Sequence, residues 1–189
     1  MSVTAIEALE RRRTIRQYES DYEIPKEIMD KIMHAAQLSP TACDFQGQDY
    51  IVVTNKEKLA KLETVVWDNM QDDKFKKYFI GRRERHGVKN VVTCDAPCVI
   101  LIIKNERAHK DWIKIDSGMA AMSIVIAAQN YGIESMCLGV VAMDNTKEKC
   151  EELFGLQKDS LILGVALGKL RPGFKLHEKV IKSKVTYDK

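Results

Sequence analysis

Asp116-Ser117-Gly118-Met119-Ala120-Ala121-Met122-Ser123-Ile124-Val125-Ile126-Ala127-Ala128-Gln129-Asn130 is the stretch on which the fold turns. Its apolar side chains occupy nearly every direction of a helical wheel, and a helix apolar all round is a buried one. Asp116 is placed to cap the first turn, and Gly132 to stop the last. The stretch is too short for a bilayer, which takes about 20 apolar residues, so it is expected in the core of a soluble protein. Gly118, Ala120, Ala121, Ala127 and Ala128 give it a thin profile against which a second backbone can pack. Two readings stay open: the central helix of a monomer, or a helix buried between two copies.

Strands are expected around it. Cys98-Val99-Ile100-Leu101-Ile102-Ile103 is an unbroken apolar run, the mark of a strand buried on both faces. Asp49 to Val53 is a second, β-branched strand. Glu134 to Val141 is a third, interrupted by Gly139, where a glycine often marks the close approach of a ligand. Leu161 to Leu167 is the last core strand. Val180 to Lys189 alternates and is expected as an edge strand.

Helices fill the intervals. Thr4 and Glu7 match a capping box, predicting a helix from Thr4 to about Arg11. Pro25 suits the first turn of a second helix, with Ile28, Met29, Ile32, Met33 and Ala36 on its apolar face. Pro40 ends it by biasing Ser39 away from helical geometry. Thr54 and Glu57 match a second box, opening a helix through about Trp67. Asn145 to Glu148 caps a short helix that stops at Gly155. Residues 69–90 interleave Lys74, Lys76, Lys77, Arg82, Arg83, Arg85 and Lys89 with Phe75, Tyr78 and Phe79, and are expected as a mobile amphipathic segment over a pocket.

The chain has 189 residues, 45% of them hydrophobic and 30% charged, which fits one domain over 1–189 with a core of its own. A net charge of +3 does not by itself imply nucleic acid. The five cysteines form no C-x-x-C pair and have no histidine at finger spacing, which argues against zinc. The polar N-terminus predicts no leader, and free thiols predict a reducing, cytoplasmic setting.

Two polar segments invite chemistry. Arg11 to Tyr18 clusters guanidinium forks beside Thr14, a combination suited to phosphate, though a solvated basic face has the same composition. Ser39 to Gln48 is a short loop dense in hydrogen-bonding side chains that feeds a buried strand. It is suited to reading the edge of a planar ligand, and equally to being a plain turn.

Taken together and in order, these pieces resemble the nitroreductase family. Arg12-Arg13-Thr14-Ile15-Arg16-Gln17-Tyr18 is similar to its RRS-x-R-x-F/Y signature, and Pro40-Thr41-Ala42-Cys43-Asp44-Phe45-Gln46 to its P-S-A-x-N-x-Q loop. Ala96 to Ile100 resembles its A-P-V-V-I strand, and the stretch from Asp116 to Gly139 its core helix and following strand. The resemblance implies an α+β fold with a mixed β-sheet flanked by helices, in an intertwined homodimer holding FMN at the subunit interface.

It also implies roles. Arg12, Arg13 and Thr14 would hold the FMN phosphate and ribityl chain. Arg16 would stand near the flavin N1–C2=O edge, where a fixed cation stabilises the charge of the reduced ring. Pro40, Thr41, Ala42, Asp44 and Gln46 would contact the isoalloxazine, some from the partner subunit. Leu138 and Gly139 would offer a backbone N–H to N5. Lys169, Arg171 or Lys175 would complete the phosphate site. Asp44 stands where the family has Asn, and its charge opposes flavin reduction unless paired or protonated. Gly47-Gln48 replaces a common Pro-Trp.

The activity so implied is reduction of a small-molecule electron acceptor, a nitroaromatic or quinone, with NADH or NADPH as reductant. No G-x-G-x-x-G is present to choose between the nucleotides. The same fold also serves reductive dehalogenation and flavin breakdown. A third reading, from another class, is a non-enzymatic basic module that binds nucleic acid through residues 74–89.

Overall fold

A computed structural model describes residues 3–174, 176 and 178–188. Among them the chain forms six α-helices and four strands: α1 (Ala5–Arg11), α2 (Lys26–Gln37), β1 (Gln48–Val53), α3 (Lys56–Asn69), α4 (Asp73–His86), β2 (Cys98–Lys104), α5 (Ile113–Gln129), β3 (Glu134–Leu138), α6 (Asp144–Phe154) and β4 (Leu161–Gly168). The strands run in the order β1-β2-β4-β3, and each neighbouring pair is antiparallel. The parallel component expected of a mixed sheet is confined to the bridge between Thr14 and Ser135.

The apolar run of β2 explains this layering. Alternate side chains of a strand point to opposite faces, and both faces of β2 are covered. Val99 and Leu101 join a core with Leu62, Val66 and Cys150 of α3 and α6. Cys98, Ile100 and Ile102 join another with Ile32 of α2 and Ile124 of α5. The sheet is therefore the middle layer between two helical layers, the arrangement of an α+β domain.

The pivotal helix begins earlier than its sequence suggests. Its first residue is Ile113 and its N-cap is Trp112, so Asp116 lies inside the first turn and caps nothing. Gly132 takes the left-handed conformation, φ +66°, just past the helix end. α5 is not buried all round in one chain: Ile115, Met119 and Met122 are 51%, 40% and 40% exposed. These residues share one face at helical spacing.

Other boundaries are corrected in the same way. Thr4 closes its capping box with Glu7, but α3 is capped by Asn55, whose Oδ1 accepts from the Lys58 N–H at 2.9 Å, and not by Thr54. α6 has no side-chain cap. Thr146 is buried instead, its hydroxyl donating to the Val140 carbonyl. β3 stops at Leu138, and Gly139 to Ala142 continue as a 3-10 turn. The expected C-terminal edge strand does not form among residues 178–188. Val180, Ile181 and Val185 there are 72%, 76% and 74% exposed within one chain. Among the described residues no helix is long and apolar enough to cross a membrane.

Candidate functional site

The segment after α1 threads beside β3. The Ile15 N–H donates to the Ser135 carbonyl at 3.1 Å and the Tyr18 N–H to Cys94 at 3.3 Å. Ile15 is fully buried. The two-residue alternation of an extended chain then turns Thr14 and Arg16 the other way, into a cavity of about 390 Å³ floored by Met136, Cys137, Leu138 and Gly139. A Cβ placed on Gly139 meets nothing within 4 Å, so the space above that turn is open. Arg12 and Arg13 stand at the end of α1. The Arg12 N–H closes the helix on Ala8 at 2.9 Å, and Arg13 Nη1 donates to the Glu10 carbonyl at 2.6 Å, a cation at the negative end of the helix dipole.

The far wall of this cavity is α4. Asp72 caps it by accepting from the Lys74 N–H at 2.7 Å, and Gly87 ends it at φ +58°. The segment over the pocket is thus a defined helix, with Phe75, Tyr78, Phe79 and Arg82 facing in. Phe79 and Arg82 are buried and so are not free to stack on bases. Arg82 Nη1 donates to the Val91 carbonyl at 2.8 Å, and its guanidinium lies 4.5 Å from the Phe79 ring centroid and 5.0 Å from that of Tyr78. A hydrogen bond from Arg82 holds the Tyr78 phenol below its ordinary pKa, against the opposing effect of burial. Tyr78 and Arg82 were not among the expected site residues. Their signal was the spacing of Phe75, Tyr78, Phe79 and Arg82 on one helical face.

The loop at residues 40–47 builds a second place. Cys43, Asp44 and Gln46 have φ of 48°, 54° and 49°, a conformation costly for residues other than glycine and found where surroundings enforce it. The enforcing contacts are explicit. The buried Asp116 carboxylate accepts the Ala42 N–H at 3.2 and 3.3 Å. Thr41 Oγ1 accepts from the Gln46 N–H at 3.1 Å, and Gln46 Nε2 donates to Asp44 at 3.0 Å. Asn105 and Arg107 both donate to the Gln46 carbonyl, and Phe45 stacks on His109 at 5.9 Å. Thr41, Gln46 and Gln48 line a cavity of about 550 Å³; Pro40 and Ala42 flank it in sequence. No ion pair involves Asp44 among the described residues.

Lys169 and Arg171 stand elsewhere again. The Lys169 ammonium lies over the Tyr22 ring at 4.5 Å. Arg171 donates to the His86 carbonyl at 2.6 Å and to Gly87 at 3.2 Å, closing the end of α4. Lys175 lies outside the described residues. Within one chain, then, Thr14, Arg16, Leu138 and Gly139 come together, beside Arg12 and Arg13. The residues of the 40–46 loop form a separate group, and Lys169 and Arg171 a third.

The buried polar atoms say which group lacks a partner. Arg16 Nε and Arg82 Nε, both in the first cavity, are buried without a hydrogen bond, as is Gln48 Nε2 in the second. Tyr18 Oη and Ser117 Oγ are unpaired in the same way; buried donors are rarely left unpaired, and those of Arg16, Arg82 and Gln48 belong to residues that line cavities.

Residues 9–169 match the model of the nitroreductase family. A Methanothermobacter thermautotrophicus protein, provisionally named an NADH dehydrogenase/NAD(P)H nitroreductase, is 30% identical over 80% of this chain and 69% of its own length. The crystal structure of a Bacteroides fragilis nitroreductase with bound FMN superposes with a TM-score of 0.79 at 22% identity, covering all of both chains. An FMN-dependent nitroreductase of Clostridium difficile superposes at 0.69 with 26% identity over 92% of this chain and 91% of its own.

Proposed function

The chain belongs to the nitroreductase family, and on that premise we propose that it is an FMN-dependent NAD(P)H oxidoreductase that reduces nitroaromatics, quinones or similar electron-poor acceptors. The observation that carries the reading is the unpartnered Arg16 Nε in the cavity of Thr14, Leu138 and Gly139. Bound FMN would supply the two-electron redox chemistry between a dihydronicotinamide and the acceptor.

The chain's own residues bind and orient. Arg16 places a fixed positive charge where reduction adds negative charge. Arg12, Arg13 and Thr14 hold the phosphate and ribityl chain, with Lys169 or Arg171 as further cations. Leu138 and Gly139 present backbone to the ring over open space. Pro40, Thr41, Ala42, Asp44 and Gln46 reach the ring of a second copy's flavin. Two facts support a homodimer: that loop stands apart from the Arg16 cavity within one chain, and α5 leaves Ile115, Met119 and Met122 exposed. An exposed apolar stripe of this kind marks an interaction surface. Reductant and acceptor alternate in one cavity, which makes the kinetics ping-pong. The five free thiols suit a cytoplasmic setting.

The test is a visible spectrum of the purified protein, followed by anaerobic addition of NADH and then NADPH. Flavin absorption that bleaches is expected, and the faster nucleotide is the preferred one. A protein that stays colourless after incubation with FMN refutes the assignment.

A further inference from the structure

α4 brings a cation into the cavity for which the flavin reading has no use. Arg82 is 8% exposed; its Nη1 donates to the Val91 carbonyl and to Cys94 Sγ and its guanidinium to the Tyr78 phenol, while Nε has no partner among the described residues. Among the described residues lining the cavity, Arg16 and Arg82 are the only charged ones, and no carboxylate faces them. Arg82 is buried and Arg16 partly so, and a buried guanidinium without a counter-ion is costly; an anion from outside the chain would offset that cost. Arg16 has its claimant in the electron-rich edge of the flavin. Arg82 does not.

We propose that Arg82 and Tyr78 form the recognition wall for the electron acceptor, and that the acceptor is a small aromatic carrying an anionic oxygen group such as a carboxylate. The planar guanidinium offers parallel donors that match a carboxylate. The Tyr78 hydroxyl adds a donor at the rim, and the faces of Phe75 and Phe79 supply the apolar walls that a ring requires. The inference rests on the proposed oxidoreductase reading in calling this anion an electron acceptor.

Calorimetric titration with 4-nitrobenzoate and with uncharged 4-nitrobenzamide tests it, on protein whose FMN content is measured separately. Wild type is expected to favour the carboxylate at least tenfold. Arg82→Gln should bring the ratio to within twofold, and Tyr78→Phe, at a half-exposed rim position where folding is not at risk, should lower it about threefold. The same ratio is then read from KM in turnover. A wild type without preference overturns the proposal, as does a Tyr78→Phe variant that keeps the full ratio. A tenfold loss of FMN or NAD(P)H affinity in Arg82→Gln with the ratio intact assigns the guanidinium to those ligands and likewise overturns it. Discrimination by a protein that takes up no FMN keeps the anion site and removes the oxidoreductase reading instead.

Discussion

Replacing Asp116 by alanine tests whether α5 sets the shape of the 40–47 loop. The carboxylate is 4% exposed and accepts a single donor, the Ala42 N–H, shared between its oxygens at 3.2 and 3.3 Å. A hydrogen bond to a charged group contributes about 1.5–3 kcal/mol; a long, shared one belongs near the lower end, about 2 kcal/mol. In a chain of this size each kcal/mol moves the melting point by about 2–4 °C, so Asp116→Ala should lower it by about 4–8 °C. Asp116→Asn keeps a neutral acceptor and should lose about half as much. The assay is thermal unfolding followed by circular dichroism, with flavin affinity measured alongside. Affinity should fall in the same order, because the strained turn that begins at Ala42 loses its anchor. An alanine variant that melts within about 1 °C of wild type shows that the contact does not hold the loop.

A Cβ on Gly47 would lie 2.5 Å from Ala108 Cα and 3.0 Å from Ala108 N. Both are backbone atoms, so Gly47→Ala must displace the 105–109 turn and should cost about 1–3 kcal/mol in chemical denaturation; wild-type stability would mean that the turn yields freely. Burial pushes Cys94 up to about 11 and Cys98 and Cys150 up to about 12. A disulfide reagent at neutral pH should therefore label the two exposed thiols, Cys43 and Cys137, the latter more slowly because desolvation raises its pKa against the opposing charge of Arg12, and reach the other three only in denaturant. Unfolded thiols ionise from about pH 8.5, so the unfolded state binds fewer protons above that pH. Stability should be whole below it and fall as pH rises toward 12, and a denaturation midpoint that stays flat from pH 8 to 10 speaks against these assignments.

What was legible in the sequence was what periodicity encodes. The apolar and β-branched runs at 98–103, 49–53 and 161–167 placed three strands within a residue, because burial writes itself into composition, whereas the strand expected over 134–141 stops at Leu138 and the alternating tail pairs with no strand in one chain among residues 178–188. The misreadings share a physical cause: a side chain whose partner is distant in sequence. Asp116 has the chemistry of a cap, yet its donor is Ala42. The left-handed residues Cys43, Asp44 and Gln46 carry no glycine to betray them, since their conformation is imposed by Asn105, Arg107 and Asp116. α4 appeared only as a charged, aromatic mixture. The spacing of Phe75, Tyr78, Phe79 and Arg82 marks one face, but that Arg82 is held there by the Val91 carbonyl and Cys94 is not written in local pattern.

The position of Asp116 has a consequence for the proposed dimer. The same helix that holds Ala42 through Asp116 presents Ile115 and Met119 on its exposed face. A symmetric contact built on that stripe uses the same patch from both copies, so a shift of α5 at the interface moves the anchor of the loop with it. In the proposed dimer each flavin site would draw on two parts: the Arg16 cavity of one copy, beside β3, and the 40–46 loop of the other, tied to α5 through Asp116. Assembly and cofactor binding become one equilibrium. Flavin that bridges the copies stabilises the dimer by its differential affinity for it, and the dimer in turn raises the affinity for flavin by the same factor. Flavin affinity should accordingly weaken on dilution into the range where the copies separate, and a flavin affinity independent of protein concentration across that range would place both halves of the site within one chain.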